Sequence, residues 1–435
     1  MENNKINARS LALEVLTRCE NGGYSNIALD TVIKRNNLSS ADRGLMTAII
    51  YGVIERKITL DYIISSLSSI PNSKIEKDTR NILRMGLYQL IYMKKIPSHA
   101  ALNETVNLAN KRSKGFVNAI LRSYLREDNK ITFPDKKDPI KYLSVTYSVG
   151  ESLVEALLKA YSFEECRNML NAFSQIAPIT LRVNNLKATR DEILSELDGA
   201  RSTDSSPDGI ILDNAAVSEL DCLNDGRVTV QDEASQICVR ALDAQKGDTV
   251  FDVCACPGSK SFGAAMTMEN EGKILAFDIH ENKLSLITKG TERLGISIIS
   301  TRTHDARKPI EELFGTADRI ICDVPCSGFG VISKKPEIRY KNVKESEALP
   351  NIQYDILENV SNYLKVGGTL VYSTCTILPD ENENNVNKFL EDHKNFKLVP
   401  FSVGELEVDG GMITLLPHRH HTDGFFIAKL TKISE

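Results

Sequence analysis

From about residue 247 onward, short strand-like runs alternate with helical stretches, and this alternation restricts the fold more than any other feature of the sequence. Strands separated by helices pair in parallel, because the chain must cross back over the sheet before it adds the next strand. The second half is therefore predicted to form a doubly wound α/β sheet. The predicted strands cover residues 248–253, 273–278, 297–301, 319–323 and 369–373.

Two further strand-like runs near the C-terminus, 412–416 and 425–430, flank the turn-rich segment PHRHHTDG. A hairpin there would add an antiparallel strand to the parallel sheet, which is typical of class I, Rossmann-like methyltransferases and less typical of dehydrogenases. The G-x-G-x-x-G motif that cradles a dinucleotide pyrophosphate is also missing. Both features argue against a dinucleotide-dependent oxidoreductase.

The first 130 residues repeat apolar side chains at helical spacing, beginning with Ala8, Leu11 and Val15. Four more such stretches follow, so a multidomain protein with an all-α N-terminal bundle is predicted. The polar, proline-bearing residues 126–139 indicate a linker. The predicted domains are a helical domain at 1–130, a small α+β subdomain at 140–235 and the α/β domain at 236–435.

Charge is divided unevenly along the chain, although its formal net charge is only −5. Residues 1–150 carry 23 Lys and Arg against 14 Asp and Glu, whereas residues 151–435 carry 30 against 44. A basic module joined to an acidic one indicates that the first part meets a polyanion. A solvated basic surface without a ligand would give the same pattern, so charge alone leaves both interpretations open.

The sequence has no apolar run of the length that a membrane helix needs and no secretory signal at its start. We therefore expect a cytoplasmic protein without a membrane partner. Nine cysteines with no disulfide framework fit that compartment. A metal or iron–sulfur site is one explanation for the five cysteines from Cys254 onward. Their C-x-C and C-x₃-C spacings do not match zinc-binding pairs, however, and we expect no metal.

Acidic residues follow three consecutive predicted strands at the edge where doubly wound sheets bind ligands. Asp252 precedes the small-residue turn VCACPGSKS, and Asp278 is placed to accept hydrogen bonds from both hydroxyls of a ribose. Asp305 is placed to meet an adenine amino group. A single acid at a strand end is often only a helix cap, but three after such a turn favour an adenosyl ligand without phosphates.

Two cysteines follow the fourth and fifth predicted strands, Cys326 in Asp-Val-Pro-Cys and Cys375 in Tyr-Ser-Thr-Cys. Since neighbouring strands lie about 4.8 Å apart, both thiols are expected to open into one pocket. A thiolate that adds to carbon 6 of cytosine enables carbon 5 to attack a methyl sulfonium, and Asp323 is placed to bind ring nitrogen 3. Lys260 and the cofactor cation would help to ionise the thiol. Alternatively, the cysteines are small apolar side chains that fill strand ends.

Seven motifs follow one another along the chain: HAALNETVNLA (99–109), GFVNAILR (115–122), VQDEASQ (230–236), DVCACPGSKS (252–261), DVPCSGFGVI (323–332), STCTILPDENE (373–383) and HTDGFFIAKL (421–430). Together they resemble the RsmB (Sun/Fmu) branch of RNA 5-methylcytosine methyltransferases, which act on small-subunit ribosomal RNA. The resemblance covers nearly the whole chain, and its helical first part resembles a NusB-type RNA-binding bundle.

The resemblance implies a role for each matching residue. Cys375 would attack the cytosine and Cys326 would assist release of the product, with Asp323 and Lys260 beside them. S-adenosylmethionine would be the cofactor, and small-subunit (16S) ribosomal RNA the partner of a protein that we expect to be monomeric. The implied cofactor site comprises Cys254, Ala255, Cys256, Pro257, Gly258, Ser259, Lys260, Asp278, Asp305 and Asp323.

Two positions depart from the family pattern: Cys256 replaces a small residue and Ser259 replaces a second glycine. If position 259 needs a positive φ, the serine is strained there and cofactor binding is expected to weaken. The alternative function is a non-catalytic RNA-binding or assembly factor that kept the methyltransferase fold. The intact cysteine pair, Asp323 and Lys260 speak against that alternative.

Overall fold

The computed structural model of the protein describes residues 7–21, 25–127, 131–213 and 220–435. Packing divides the chain into two units, Met1–Leu170 with Lys335–Asn342 and Asn171–Lys334 with Val343–Glu435. The three domains predicted from the sequence stay a prediction, since units defined by packing need not follow domain boundaries. Within the described ranges, no helix is long and apolar enough to cross a membrane.

Helices build the first unit, which confirms the prediction of an all-α first part. The Asn7 side chain caps the first helix by accepting from the Ser10 amide, and the Ser39 hydroxyl caps the third. The predicted linker at 126–139 falls between two helices, and its residues 128–130 lie outside the described part. The helices are α1 (Ala8–Glu20), α2 (Ser25–Arg35), α3 (Ser40–Glu55), α4 (Lys57–Leu67), α5 (Lys77–Tyr92), α6 (Ser98–Leu108), α7 (Lys114–Arg126), α8 (Pro139–Tyr147), α9 (Glu151–Ala160) and α10 (Phe163–Ala172).

The segment Lys335–Asn342, from far along the sequence, belongs to this helical unit. The Tyr340 hydroxyl lies 2.9 Å from Ser148 Oγ and accepts a hydrogen bond from the Lys57 amide at 3.2 Å. Arg339 is buried and donates to the carbonyl of Tyr147 at 3.2 Å. Local periodicity could not predict these contacts, because they join residues that are far apart in the sequence.

A four-stranded antiparallel sheet opens the second unit. Its elements are β1 (Ile179–Val183), α11 (Arg190–Glu196), β2 (Arg201–Ser202), β3 (Gly209–Leu212), α12 (Asp221–Asn224) and β4 (Val228–Val230). The strand order is β2-β3-β1-β4. Thr189 and Glu192 form a capping box at the start of α11. This part of the chain therefore contains both helices and strands, as the sequence predicts. Residues 214–219 lie outside the described part.

The remainder of the second unit alternates between strands and helices as the sequence predicts. Its elements are α13 (Glu233–Leu242), β5 (Thr249–Asp252), α14 (Ser259–Thr267), β6 (Lys273–Asp278), α15 (Glu281–Leu294), β7 (Ile299–Thr303), β8 (Ala317–Asp323), α16 (Leu349–Ser361), β9 (Leu364–Thr374), α17 (Glu383–Asp392), β10 (Phe396–Leu398), β11 (Phe401–Val403), β12 (Leu406–Val408), β13 (Met412–Leu415), α18 (Pro417–His420) and β14 (Phe425–Lys432).

These strands form a sheet in the order β10-β14-β9-β8-β5-β6-β7, in which β5 to β9 are parallel. Strand β14 runs antiparallel to β9 and pairs with β13, so the doubly wound sheet with a C-terminal antiparallel strand is confirmed. The sequence did not predict β10 or the β11–β12 hairpin. Strand order reverses at β5, where β6 pairs on one side and β8 on the other, and doubly wound sheets bind ligands at such a point.

A buried ion cluster joins the small sheet to the helices of the large one. Arg182 on β1 is fully buried and lies 3.0 Å from the Asp208 carboxylate, which also accepts three hydrogen bonds from Arg240 on α13. Burial alone would raise the pKa of Asp208, but the two guanidinium groups hold it below its usual value. The charge on Asp208 is therefore needed to keep Arg182 compensated.

We predict that Asp208→Asn destabilises the second unit by about 3–5 kcal/mol, because it leaves the Arg182 charge buried without a counter-ion. Urea unfolding at pH 7 measures this loss. The matched control is Asp213→Asn, since Asp213 is 62% exposed and lies 4.0 Å from Arg201. A pair of this kind contributes less than about 1 kcal/mol.

The difference in unfolding free energy between wild type and Asp208→Asn should depend on pH. Because the folded pKa of Asp208 is lowered, its charge stabilises the fold above the unfolded pKa and stops doing so as pH falls through the folded value. Wild type and Asp208→Asn should therefore converge in stability at acid pH. Equal stability of the two proteins at pH 7 would contradict the structural importance of the ion cluster.

Candidate active site

The parallel strands place their carboxyl ends at one edge of the sheet, where a cleft of about 430 Å³ opens. Strands β5, β6 and β8 each end in an aspartate, and Cys375 directly follows β9. Among the residues that the sequence singled out, seven line this cleft: Cys254, Cys256, Asp278, Asp305, Asp323, Cys326 and Cys375. The structure thus brings together the ends of five strands at a single opening.

The two predicted thiols lie side by side, with 3.1 Å between Cys326 Sγ and Cys375 Sγ. The backbone supports this approach, because the Gly330 amide on the Cys326 loop donates to the carbonyl of Cys375 at 2.9 Å. The pKa of Cys326 is raised well above its usual value, first by its hydrogen bond to Cys375 and then by burial. Cys326 therefore keeps its proton, which it can donate to the other sulfur.

An ion pair between the buried Lys260 and the half-buried Asp323 lies at the same strand ends as the thiols. Lys260 Nζ is 2.6 Å from Asp323 Oδ2, and the Ser373 hydroxyl donates to Oδ1 of the same carboxylate at 2.8 Å. Burial alone would lower the pKa of Lys260, but the charge and hydrogen bond of Asp323 raise it overall. Lys260 also lies 5.2 Å from the centroid of the Phe425 ring. Its amino group contacts Asp323 rather than a site sulfur, so its influence on the thiols is indirect.

Asp252 is a further acid of the site whose state the sequence did not predict. Its side chain is only 1% exposed and accepts a hydrogen bond from the Ser261 hydroxyl at 2.6 Å. Burial raises its pKa to about 7, and the charge of Asp323 contributes in the same direction. The position of Asp252 at a strand end was visible in the sequence, but its depth depends on the packing of α14 and β8.

The turn after β5 needs a glycine at one position and tolerates serine at the next. Gly258 has φ +108°, and a Cβ there would lie 2.6 Å from the Phe262 ring. Ser259 begins α14 and is not among the non-glycine residues with positive φ. The strain considered for Ser259 is therefore not found in the structure.

Two of the carboxylates predicted to bind an adenosyl ligand, Asp278 and Asp305, accept hydrogen bonds from neighbouring residues. Asp278 accepts from the backbone amides of His280 at 2.8 Å and Cys256 at 3.2 Å. Burial would raise its pKa, but these hydrogen bonds lower it overall. Asp305 accepts from the Arg307 guanidinium at 3.0 and 2.8 Å, which lowers the pKa of Asp305 to about 2. Both carboxyl groups are therefore ionised at neutral pH.

Five predicted cofactor residues do not line the cleft, namely Ala255, Pro257, Gly258, Ser259 and Lys260. They shape the turn behind it, and Lys260 reaches the site through Asp323. The sequence missed eight lining residues that follow the strand ends or lie on α16: Ile279, His280, Lys283, His304, Ala306, Arg307, Ile352 and Ile356. Within the described residues, no group of three or more His, Cys, Asp or Glu could hold a metal ion.

Comparisons with protein families divide the sequence into three matches. Residues 239–431 match the family described as 16S rRNA methyltransferase RsmB/F. Residues 6–126 match the NusB family. Residues 151–218 match the ferredoxin-like domain of RsmF/B-like methyltransferases.

Relatives align with nearly the full chain. The probable ribosomal RNA small subunit methyltransferase B of Bacillus subtilis (strain 168) is 39% identical, and the alignment covers 98% of this chain and 99% of that protein. The ribosomal RNA small subunit methyltransferase B of Escherichia coli (strain K12) is 33% identical with the same coverage.

Solved structures share the fold. The structure of PH0851 is 28% identical with a TM-score of 0.79, and it covers 98% of this chain and 99% of that one. NSun6 from Pyrococcus horikoshii, solved with SFG, is 23% identical with a TM-score of 0.59, and covers 65% of this chain and 98% of that one. At that identity the second likeness supports the fold alone.

We predict that iodoacetamide at pH 7 modifies Cys375 before Cys326, because alkylation needs a thiolate and the raised pKa of Cys326 keeps it protonated. Peptide mass spectrometry after short exposures measures the order. Cys238 serves as an internal control, since it is buried and its pKa is raised to about 12. In Cys375→Ala, loss of the hydrogen bond should speed labelling of Cys326. Faster labelling of Cys326 than of Cys375 in wild type would contradict this order.

Proposed function

The chain belongs to the 16S rRNA methyltransferase RsmB/F family, whose members use S-adenosylmethionine, and we propose that it methylates carbon 5 of a cytosine in small-subunit ribosomal RNA. The reaction proceeds through a covalent cysteine–cytosine adduct. One observation carries this proposal: two thiols 3.1 Å apart open into a cleft beside a paired carboxylate. Methylation of an exocyclic amine needs no thiol, whereas carbon 5 of cytosine reacts only after a nucleophile has added to carbon 6.

Cys375 is the nucleophile of the proposed reaction. Its thiolate adds to carbon 6 of the ring, and the electron pair displaced from the double bond makes carbon 5 nucleophilic. The hydrogen bond from Cys326 stabilises negative charge on Cys375 before it attacks. Asp323, held between Lys260 and Ser373, binds the polar edge of the ring and keeps carbon 6 in reach of the sulfur.

When bound, S-adenosylmethionine supplies a methyl group on a sulfonium cation. Once carbon 5 carries the methyl group, its proton passes to a water molecule and the electron pair of that C–H bond restores the ring double bond. The bond between carbon 6 and Cys375 breaks in the same step, and Cys375 leaves as a thiolate that the Cys326 thiol can stabilise by a hydrogen bond. Cys326 is the residue assigned to this release step, because it lies within hydrogen-bond distance of the leaving sulfur. The target base must leave its stack to reach the cleft.

The cleft suits S-adenosylmethionine because its edge carries carboxylates and the cofactor carries a cation and no phosphate. Asp278 would accept hydrogen bonds from the ribose hydroxyls, and Asp305 would lie at the adenine end. The turn from Cys254 to Lys260 would border the cofactor. The basic first part of the chain, residues 1–150, would provide phosphate contacts to the RNA. We expect a monomer and no metal in this reaction.

We predict opposite behaviour for the two cysteine variants when each is incubated with S-adenosylmethionine and small-subunit ribosomal RNA. Cys326→Ala should retain the nucleophile but release product slowly, so a covalent RNA–protein complex should accumulate on denaturing gels. Cys375→Ala should form no complex and no methylated cytosine. If the pattern is reversed, Cys326 is the nucleophile. If no variant forms a complex and wild type does not methylate, the chain is a binding factor instead.

We also predict that Asp278→Asn weakens S-adenosylmethionine binding about tenfold, since it removes the charge from hydrogen bonds to the ribose. The asparagine oxygen can still accept from one of the two backbone amides that Asp278 holds, so part of the turn's support is retained. Isothermal titration calorimetry measures the affinity. Glu281→Gln is the matched control, because Glu281 is exposed on the first turn of α15 and does not line the cleft. An unchanged dissociation constant in Asp278→Asn would remove Asp278 from the proposed cofactor site.

A further inference from the structure

The loop that carries Cys326 is held on both sides by two buried side chains, Glu381 and Gln353, that are hydrogen-bonded to each other. Glu381 is 2% exposed, and its Oε2 accepts from the Ser327 amide at 2.9 Å and from the Gln353 side-chain amide at 2.8 Å. The same nitrogen of Gln353 donates to the carbonyl of Pro325 at 3.0 Å. The peptide groups before and after Cys326 are therefore both tied to the Glu381–Gln353 pair.

A second link joins the loops of the two cysteines directly. The hydroxyls of Ser327 and Thr376 lie 2.8 Å apart, and both side chains are buried. These residues immediately follow Cys326 and Cys375 in the sequence. A hydrogen bond between them therefore restricts how far the two cysteine backbones can separate.

The network extends away from the cleft. The Tyr372 hydroxyl donates to the Glu381 carbonyl at 2.7 Å, and Asn385 donates to Gln353 Oε1 at 3.2 Å. Glu381, Gln353, Ser327 and Thr376 are not among the residues that line the cleft. They can therefore affect a bound base only through the residues that they hold.

A carboxylate at a buried position does not stabilise a fold as well as an apolar side chain can. Burying a charge costs free energy, and a well-packed apolar side chain often stabilises a fold as much or more. Glu381 Oε1 has no hydrogen-bond partner within the described residues, so part of this cost is not recovered by contacts there. What the carboxylate does provide is one acceptor at which two donors converge beside Cys326.

We propose that Glu381, together with Gln353, is a positioning residue that sets the distance between the sulfurs of Cys326 and Cys375. The geometric part of this inference stands without substrate, and its consequence for product release rests on the proposed function. We call the hydrogen-bonded pair of Glu381 and Gln353 the clamp. Without the clamp, the loop that carries Cys326 moves away from Cys375. The thiol that assists release is then misplaced, although the nucleophile is intact.

The test measures how fast a diazene oxidant, diamide, joins the two cysteines. The thiols lose two protons and two electrons, the sulfur–sulfur bond forms, and the diazene is reduced to a hydrazine. Because such a bond needs the sulfurs to approach to about 2.05 Å, its rate reports their proximity. Glu381→Ala should bridge at least about tenfold more slowly, since misplacement by an ångström has effects of that size or larger.

Two variants serve as matched controls. Glu381→Gln keeps an acceptor oxygen for both donors and should bridge at close to the wild-type rate. Asp380→Asn makes the same charge change at the exposed neighbouring position and should not differ from wild type. Bridging of Glu381→Ala at the wild-type rate would overturn the proposal.

Thr376→Val provides a second variant in case Glu381→Ala does not fold, which circular dichroism would reveal. It keeps the branched shape and removes the hydroxyl link to Ser327, so bridging should again slow. Equal rates in wild type and in a folded Thr376→Val would overturn the proposal in that case.

The catalytic consequence is measured separately with S-adenosylmethionine and small-subunit ribosomal RNA. Glu381→Ala should accumulate the covalent RNA complex as Cys326→Ala does, with an unchanged affinity for S-adenosylmethionine. A general loss of structure would instead weaken cofactor binding and adduct formation together, which would contradict a positioning role. If bridging slows but no protein forms an adduct, the clamp is upheld and the proposed function fails.

Discussion

The parallel pairing of β8 with β9 is the constraint on which the site depends. Backbone hydrogen bonds place Asp323 opposite Ser373, so the residues that follow both strands emerge at the same level. Cys326 comes three residues after Asp323, and Cys375 comes two residues after Ser373. A shift of one residue in this register would turn Asp323 to the other face of the sheet and separate it from Ser373. The chemistry of the cleft is therefore a consequence of strand register.

The acids at this edge are accommodated in three different ways. Asp323 is paired with Lys260, Asp278 accepts from backbone amides, and Asp252 is buried so deeply that its pKa rises to about 7. Like charges at close range cannot all be kept ionised without such arrangements. The lowered pKa of Asp278 keeps this carboxyl charged at the opening, whereas the raised pKa of Asp252 lets the deepest carboxyl lose part of its charge. The resulting field favours a cationic ligand over a phosphate.

Much of the fold was predictable because it depends on patterns among residues that are close together in the sequence. Helical spacing, the alternation of strands and helices, and the caps at Ser39 and Thr189 each depend on a few neighbouring residues. The strand-end positions of the cysteines and aspartates followed from the same alternation. The burial of Asp252, the contact of Lys260 with Asp323 and the inclusion of residues 335–342 in the helical unit did not. Each of these depends on residues that meet only after the chain has folded.

The strand-end positions of Cys326 and Cys375 do not by themselves distinguish the two thiols, whose proposed roles came from the resemblance to a family, and the reason is physical. Two thiols 3.1 Å apart form a coupled pair, since ionising both would place like charges at that distance. The first proton to leave therefore belongs to the pair, and the surroundings decide which sulfur carries the charge. Cys326 is held by a buried polar loop beside Glu381, where a second negative charge is disfavoured. Cys375 stands at the end of β9, so the difference between identical side chains arises from the loops that carry them.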